Sequence, residues 1–464
     1  MSSNGTLITS ISGIRGVFGD GLSPQVLVRF AMAYGSWSRQ RALGMGRAPT
    51  IVVGRDGRVT GQLCSQLVAA SLQAVGCNVV DVGMATTPTV EMAVLAEKAV
   101  GGIVLSASHN PAEWNALKLL NEKGQFLDAD QGQAVLARAE ADDIPTVSYS
   151  KIGTIRSANY LPYHVDAVAG LDFINPQRIA ARDFKVLVDG INSVGAFALP
   201  ALLQRLGVEE DNIHVENEEV HGHFAHTPEP LPENLTYTME RLKEVGADIG
   251  LVVDPDADRL ALIDENGQYV SEELTQVLAA DFLWKSRSGP FVTNLSSSRA
   301  IEEVAERYGE AVYRSAVGEI NVVKKMEEVN AMLGGEGNGG VILPDLHMGR
   351  DGLVATAMVL QHLANQDQPL SAIVEELPQF VISKNKITIG NRSPQDLLNV
   401  LAERYQNEKI STIDGVKIDF EEGWVHLRPS NTEPVLRIYA EARTKKTANE
   451  LAERFVEEAQ TVMS

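Results

Sequence analysis

Short apolar runs alternate with amphipathic stretches over much of the chain. Residues 50–83, TIVVGRDGRVTGQLCSQLVAASLQAVGCNVVDVG, pass through an apolar run, a polar turn, an amphipathic stretch, a glycine stop and a second apolar run. The order recurs in residues 184–207, FKVLVDGINSVGAFALPALLQRLG, and in residues 291–309, FVTNLSSSRAIEEVAERYG. Apolar runs of strand length without alternation predict strands buried on both faces, and the stretches between them predict helices. The fold class expected is α/β: three similar α/β/α domains with mixed, mainly parallel sheets. The rhythm changes near residue 380. KNKITIG, a helix around DLLNVLAERY, GVKIDF, WVHLRP, PVLRIYAEA and a terminal helix predict a C-terminal α+β domain with an antiparallel sheet.

Composition suggests where the domains divide. ADDIPTVSYSKIG (141–153) reads as a linker, a third unit starts after DPDADR (254–259), and ANQDQPLS (364–371) and LPQF (377–380) read as looser connections. The expected domains are therefore 1–150, 151–257, 258–372 and 373–464.

With 464 residues, 44% of them apolar, the chain can build several cores. Its formal net charge of −21 argues against general nucleic-acid binding and against anionic membrane surfaces. Small anions remain possible ligands where basic groups gather locally. Two cysteines, Cys64 and Cys77, make no disulfide framework. The opening MSSNGTLITS has no signal-peptide pattern, and no apolar run reaches the length of about 18 needed to span a bilayer. A cytoplasmic protein, monomer or homodimer, is expected.

Four stretches carry candidate chemistry. In DPDADR, extended backbone would point Asp254, Asp256 and Asp258 the same way. Three convergent carboxylates need a cation, and hard oxygen ligands suit Mg²⁺; a solvated acidic turn is the plainer alternative. GEGNGG (335–340) is followed by no helix pattern, so it is not a dinucleotide fingerprint. Its glycines permit close backbone approach, with Glu336 and Asn338 able to hydrogen-bond. RPSNTEP (428–434) offers Arg428, Ser430, Asn431 and Thr432 for a phosphate, with Arg437 in the following strand pattern. LSASHNPAEWNALKLL (105–120) ends an apolar run at Ser108 and His109, with Lys118 downstream. The spacing alone predicts a strand running into a helix N-capped by serine or asparagine. The other possibility is a serine nucleophile with His109 or Lys118 as its proton-transfer partner. His221, His223 and His226 lack a standard zinc spacing and read as a loop.

Together these stretches resemble the α-D-phosphohexomutase superfamily. SASHNP with Lys118 in NALK is similar to its phosphoserine loop, DPDADR to its magnesium loop, GEGNGG to its sugar-recognition loop and RPSNTEPVLRIYAEA to its phosphate-binding loop. SGIRG (12–16) and HTPEPLPENL resemble further signatures, and the order spans essentially the whole chain.

The resemblance implies four domains around one cleft and a phosphoserine enzyme. Ser108 would give its phosphoryl group to a hexose monophosphate and recover the other one from a 1,6-bisphosphate. The cofactors implied are one Mg²⁺ per chain, held by Asp254, Asp256, Asp258 and phosphorylated Ser108, and hexose 1,6-bisphosphate as activator. Lys118 would be the general acid/base, with His109 and Arg15 beside the phosphoryl group and Arg259 stabilising its charge. Glu336 and Asn338 would bind sugar hydroxyls, and Arg428, Ser430, Asn431, Thr432 and Arg437 the second phosphate.

Many bacterial members have GEMSGH or GEQSGH where this chain has Asn338 and Gly340, and many have glycine at the position of Ala116. The GExNGG form leans toward glucosamine phosphate over mannose or glucose phosphate. GLVVDPDAD also fits an aspartate-nucleophile phosphatase, which would leave SASHNP and RPSNTEP without a role. A sugar-phosphate sensor would need neither Lys118 nor the aspartate trio.

Overall fold

The computed structural model describes residues 5–11, 13–141, 144–389, 393–429 and 435–463. The chain forms two compact units, one from Met1–Phe282 with Asn338–Ile373 and the other from Leu283–Gly337 with Val374–Ser464.

In the first unit, strand Thr50–Arg55 lies between Asn78–Met84 and Gly101–Leu105, parallel to both. Its neighbouring residues point to opposite faces, and both faces are buried. Ile51, Val53, Ile103 and Leu105 pack with Leu27, Phe30, Val68 and Leu72 from helices Pro24–Met45 and Gly61–Ala74. Val52, Val80 and Val104 pack with Val90, Ala93 and Val94 of helix Thr87–Ala96. Each such valine, leucine, isoleucine or phenylalanine contributes about 1.5–3 kcal/mol over its exposed state. Two-sided burial is why these strands read as unbroken apolar runs.

Antiparallel strands complete this sheet. Trp114–Leu120 pairs with Gly101–Leu105 and with Gly13–Phe18. At the far edge Ile155–Ser157 pairs with Asn78–Met84, so the first sheet reaches beyond position 150, where the first domain was expected to end.

The second sheet centres on Val186–Asp189, parallel to Ile213–Glu216 and to Ile249–Val253. Leu260–Asp264 then turns back along Ile249–Val253, and Tyr269–Val270 follows. Position 258, expected to open a third domain, therefore lies inside the second. The aspartate stretch is a return turn within one sheet rather than a boundary.

Residues 364–371 also differ from the looser connection expected. Helix Gly352–Gln366 runs to its left-handed cap at Asp367, and helix Leu370–Glu376 begins just after.

In the second unit, Phe291–Asn294 lies between Val312–Ser315 and Leu333–Glu336, parallel to both. The C-terminal sheet is antiparallel, in the order Val381–Thr388, Val435–Ala442, Gly423–Pro429, Val416–Asp419, Lys409–Ser411. Leu436, Ile438 and Ala440 alternate inward against Ala452 and Phe455 of helix Lys445–Met463. No helix among the described residues is long and apolar enough to cross a membrane.

Candidate active site

No helix follows Ser108. Gly101–Leu105 and Trp114–Leu120 form an antiparallel hairpin, with Val104 opposite Lys118 and Leu105 opposite Leu117, so the expected N-cap is absent. WNALKLL satisfies a strand instead: Leu117 and Leu119 enter the core, while Lys118 points to the other face.

The turn between the strands carries Ser108 in left-handed backbone, φ 48°. Ser108 N donates to Ser106 Oγ at 3.0 Å, and Asn110 N donates to Ala107 O at 3.0 Å. On the other side of Trp114–Leu120, Gly13 pairs with Lys118 and Arg15 with Ala116, which sets Arg15 and Lys118 on one sheet face. A side chain at Gly13 is excluded, since its Cβ would lie 1.8 Å from Leu117 O.

Directly after strand Ile249–Val253 the chain makes a turn, closed by Ala257 N donating to Asp254 O at 2.9 Å with Ala257 left-handed. The carboxylates therefore converge through a tight turn rather than through the alternation of an extended loop. Oxygens of Asp254, Asp256 and Asp258 lie within 4.8 Å of one another, and all three residues are fully buried. Neighbouring elements pin the turn. Thr87 N donates to Asp256 O at 2.9 Å, Thr87 Oγ1 donates to Asp256 Oδ2, and Ser193 Oγ donates to Pro255 O at 2.5 Å.

The hairpin and the aspartate turn meet. Ser108 Oγ donates to Asp254 Oδ2 at 2.6 Å. Lys118 Nζ lies 2.5 Å from Asp256 Oδ2 and 3.7 Å from Asp258 Oδ2. Arg350 Nη2 donates to Asp258 Oδ2 at 2.6 Å, and Arg259 Nε lies 3.8 Å from Asp258 Oδ1 and 4.0 Å from Asp254 Oδ2. Arg15, Ser108, His109, Lys118, Arg259 and Arg350 line a cavity of about 180 Å³.

Burial and the charges of Asp258 and Asp256 push the Asp254 carboxyl well above its usual range. Burial also opposes the charge on Asp258, but Arg350, Lys118 and Arg259 outweigh it and hold that carboxyl low. For Lys118, Asp256 and Asp258 overcome desolvation and keep the ammonium protonated. Arg259, with burial, pushes the His109 imidazole down to about 2, so the ring is neutral at neutral pH.

One oxygen of each aspartate, Oδ1, is buried without a hydrogen-bond donor among the described residues. Three orphaned carboxylate oxygens so close together fit a hard divalent cation, and burial this complete does not describe a solvated acidic turn.

The other expected residues lie elsewhere. In the first unit, Asn338 Oδ1 accepts from Gly340 N at 3.3 Å. In the second unit, Glu336 Oε1 accepts from Asn294 Nδ2 at 2.9 Å and from Gly318 N at 3.2 Å. Arg428 and Arg437 face one another across neighbouring strands, and Arg437 also faces Lys386. Ser430, Asn431 and Thr432 lie outside the described residues.

Arg350, Asn110, Thr87, Lys386 and Arg58 were not expected at these places. Arg350 sits in HMGRDG, far along the chain, and reaches Asp258 because Ile342 and Arg350 bridge two antiparallel stretches. Asn110 Oδ1 accepts from Arg15 Nη1 at 3.4 Å.

Four models of the family described as phosphoglucomutase/phosphomannomutase match in order. Alpha/beta/alpha domains I, II and III cover residues 7–145, 162–267 and 271–380, and the C-terminal domain covers residues 386–458. A protein named "Phosphoglucomutase/phosphomannomutase" from Thermococcus kodakarensis is 36% identical over 454 residues, covering 96% of this chain and 98% of its own. One named "Probable phosphoglucosamine mutase" from Methanopyrus kandleri is 32% identical over 451 residues, covering 96% of each. A crystal structure of a phosphoglucomutase/phosphomannomutase family protein from Burkholderia thailandensis superposes with a TM-score of 0.83 at 27% identity, covering 98% of each chain.

Proposed function

This chain belongs to the phosphoglucomutase/phosphomannomutase family of α-D-phosphohexomutases, an isomerase that moves phosphate within a sugar, and on that premise we propose its mechanism and its sugar. Ser108 carries the phosphoryl group, and the substrate pair is glucosamine 6-phosphate and glucosamine 1-phosphate. The observation that carries the mechanism is the 2.6 Å contact of Ser108 Oγ with Asp254, inside a buried trio of carboxylates and beside four cationic side chains, Arg15, Lys118, Arg259 and Arg350.

In the forward half-reaction the bond between phosphorus and Ser108 Oγ breaks. A bond forms between phosphorus and the free hydroxyl oxygen of the hexose monophosphate, whose proton leaves to a base. The product is a 1,6-bisphosphate, and the reverse transfer from the other position regenerates phosphorylated Ser108. Asp254, Asp256 and Asp258 would hold Mg²⁺, which supplies charge neutralisation for phosphoryl transfer.

Arg259 and Arg15 are placed to neutralise the phosphoryl oxygens, and Arg350 joins them. The proton acceptor assigned to this hydroxyl is Lys118. Its ammonium is held charged by Asp256 and Asp258 here, so it must lose part of that hold before it accepts a proton. His109 is already neutral on the same cavity wall and is the second candidate.

The GExNGG form of the sugar loop, with Asn338 and Gly340, leans toward glucosamine among the sugars, and Glu336 is a buried carboxylate in that stretch able to bind sugar hydroxyls. A phosphomannomutase or phosphoglucomutase specificity is the second reading, favoured by the name of the Thermococcus relative. An aspartate nucleophile at Asp254 is disfavoured because it leaves the SASHNP and RPSNTEP stretches without a role.

The test is kcat/KM for glucosamine, glucose, mannose and N-acetylglucosamine phosphates, with Mg²⁺ and a trace of hexose 1,6-bisphosphate. Mass spectrometry of the resting enzyme locates the phosphate. Phosphate on Ser108 and the highest kcat/KM with glucosamine phosphate are expected. Phosphate only on Asp254, or Ser108→Ala retaining full activity, overturns the mechanism; a higher kcat/KM with mannose or glucose phosphate overturns the sugar.

A further inference from the structure

We propose that Arg58 is a positioning residue for the phosphoryl-carrying turn: its guanidinium fixes the backbone from Ser108 to Trp114 so that Ser108 Oγ stays aimed at Asp254. This inference rests on the phosphoserine reading.

Arg58 follows strand Thr50–Arg55 and is 1% exposed, yet it is not among the residues lining the cavity. Arginine has five N–H donors in a rigid fork. Here Nε donates to Asp56 Oδ2 at 3.0 Å. Nη1 donates to Pro111 O at 2.5 Å and Trp114 O at 2.9 Å. Nη2 donates to Ser108 O at 2.6 Å and Asn110 O at 2.7 Å. Four carbonyls of one irregular turn thus converge on one side chain.

That turn needs an external holder. Trp114 N also donates to Pro111 O at 3.1 Å; at the other three carbonyls Arg58 supplies the donor, and a buried polar group left unpaired costs about 1–3 kcal/mol. Ser108 is also left-handed, a conformation that costs a non-glycine residue about 1–2 kcal/mol. Arg58 offsets both. Its own orientation is over-determined: Asp56 Oδ1 accepts from Arg58 N at 3.0 Å, Asp56 N donates to Leu105 O at 3.1 Å, and the Phe224 ring lies 5.1 Å from the guanidinium carbon. The chain from Leu105 to Trp114 is therefore held at its start by Asp56 and through its middle and end by Arg58.

A residue that merely stabilised the fold would change the folded fraction and leave turnover per folded molecule alone. A positioning residue changes the rate of phosphoryl transfer in folded protein. The experiment compares wild type, Arg58→Lys and Asp56→Asn by thermal melting, by steady-state kcat and KM, and by the rate of Ser108 phosphorylation from glucose 1,6-bisphosphate, quenched and quantified by mass spectrometry.

Arg58→Lys keeps the charge and loses the fork. It is expected to lower both kcat and the phosphorylation rate about 10- to 100-fold with KM within about two-fold, as for a reacting group displaced by about 1 Å. Asp56→Asn releases only Nε and should move the same quantities in the same direction by less. Folded Arg58→Lys with kcat within about two-fold of wild type overturns the positioning role. If Arg58→Lys does not fold, folded Asp56→Asn decides by the same criterion. Wild type that neither turns over nor takes phosphate on Ser108 overturns the phosphoserine reading itself.

Discussion

Ser108 Oγ lies 2.6 Å from Asp254 Oδ2, although 146 positions of chain separate the two residues. A phosphoryl group on that oxygen would bring a charge of about −1.5 to −2 against a buried carboxylate trio. The phosphorylated protein is therefore expected to depend on a divalent cation for stability far more than the unmodified protein does. Melting both forms with and without Mg²⁺ checks this. A Tm that rises with Mg²⁺ equally in both forms, or in neither, would contradict it. Ser108→Ala should show the smaller, unmodified response and lose turnover by at least about a thousand-fold.

Lys118 competes with any cation for the same carboxylates, since its Nζ lies 2.5 Å from Asp256 Oδ2. Lys118→Met is expected to tighten Mg²⁺ binding while lowering kcat about 10²- to 10⁴-fold, the range for loss of a proton-transfer group. Calorimetric titration with Mg²⁺ and steady-state kinetics separate the two effects. Weaker Mg²⁺ binding in the variant would mean that Lys118 organises the carboxylates instead of opposing a cation.

Much of this arrangement could be read from the sequence. The three strand–helix repeats and the antiparallel C-terminal sheet are periodicity signals, and periodicity reports which faces are buried. The aspartate trio was legible because carboxylates at alternate positions after an apolar strand have few other uses. The Ser108 stretch was misread because serine, asparagine and proline favour helix starts and polar turns alike, and only its pairing with Gly13–Phe18 and Gly101–Leu105 makes Trp114–Leu120 a strand. Arg350 and Arg58 were invisible for a related reason. Their roles come from what distant segments bring to them, and neither sits in a pattern that a local reading distinguishes from a surface arginine.

Gly340 is a position where a change of sugar specificity should fail. A Cβ there would lie 2.3 Å from Arg350 Cδ, and Arg350 is tied to Asp258. Gly340→His, which mimics the GEMSGH form, is expected to displace Arg350 and to lower kcat for every sugar tested by about ten-fold or more, the cost of one charge-assisted contact. A variant that gains activity on one sugar and loses it on another would show that Arg350 yields without consequence.

His347 gives the fold a predictable pH response. The ring sits between Glu91 Oε2 at 3.0 Å and Asp351 Oδ2 at 3.2 Å, and Asp351 Oδ2 also lies 2.8 Å from His164 Nε2. Burial opposes the charge, but the close Asp351 and Glu91 carboxylates prevail and raise the imidazole to about 10. A pKa raised on folding favours the folded state most strongly below the ordinary value of 6.5, and the contribution fades as pH climbs to about 10. His347→Asn should therefore melt several degrees below wild type at pH 6, and the gap should narrow toward pH 10. A gap that is constant across this range would assign the loss to packing alone.

Lys386, Arg437 and Arg428 stand in one row across three strands of the C-terminal sheet. Like charges placed directly opposite destabilise a sheet, and Asp414 Oδ2, 3.5 Å from Arg428 Nε, offsets part of that repulsion. With RPSNTEP expected to hold a substrate phosphate, Lys386 is expected to contribute to that same binding. Lys386→Met should raise KM for the phosphosugar about ten-fold, as loss of one hydrogen bond to a charged group would, with kcat nearly unchanged. Inorganic phosphate should raise the Tm of wild type more than that of the variant. Equal phosphate stabilisation of both proteins would remove Lys386 from the binding row and leave Arg428 and Arg437 to act alone.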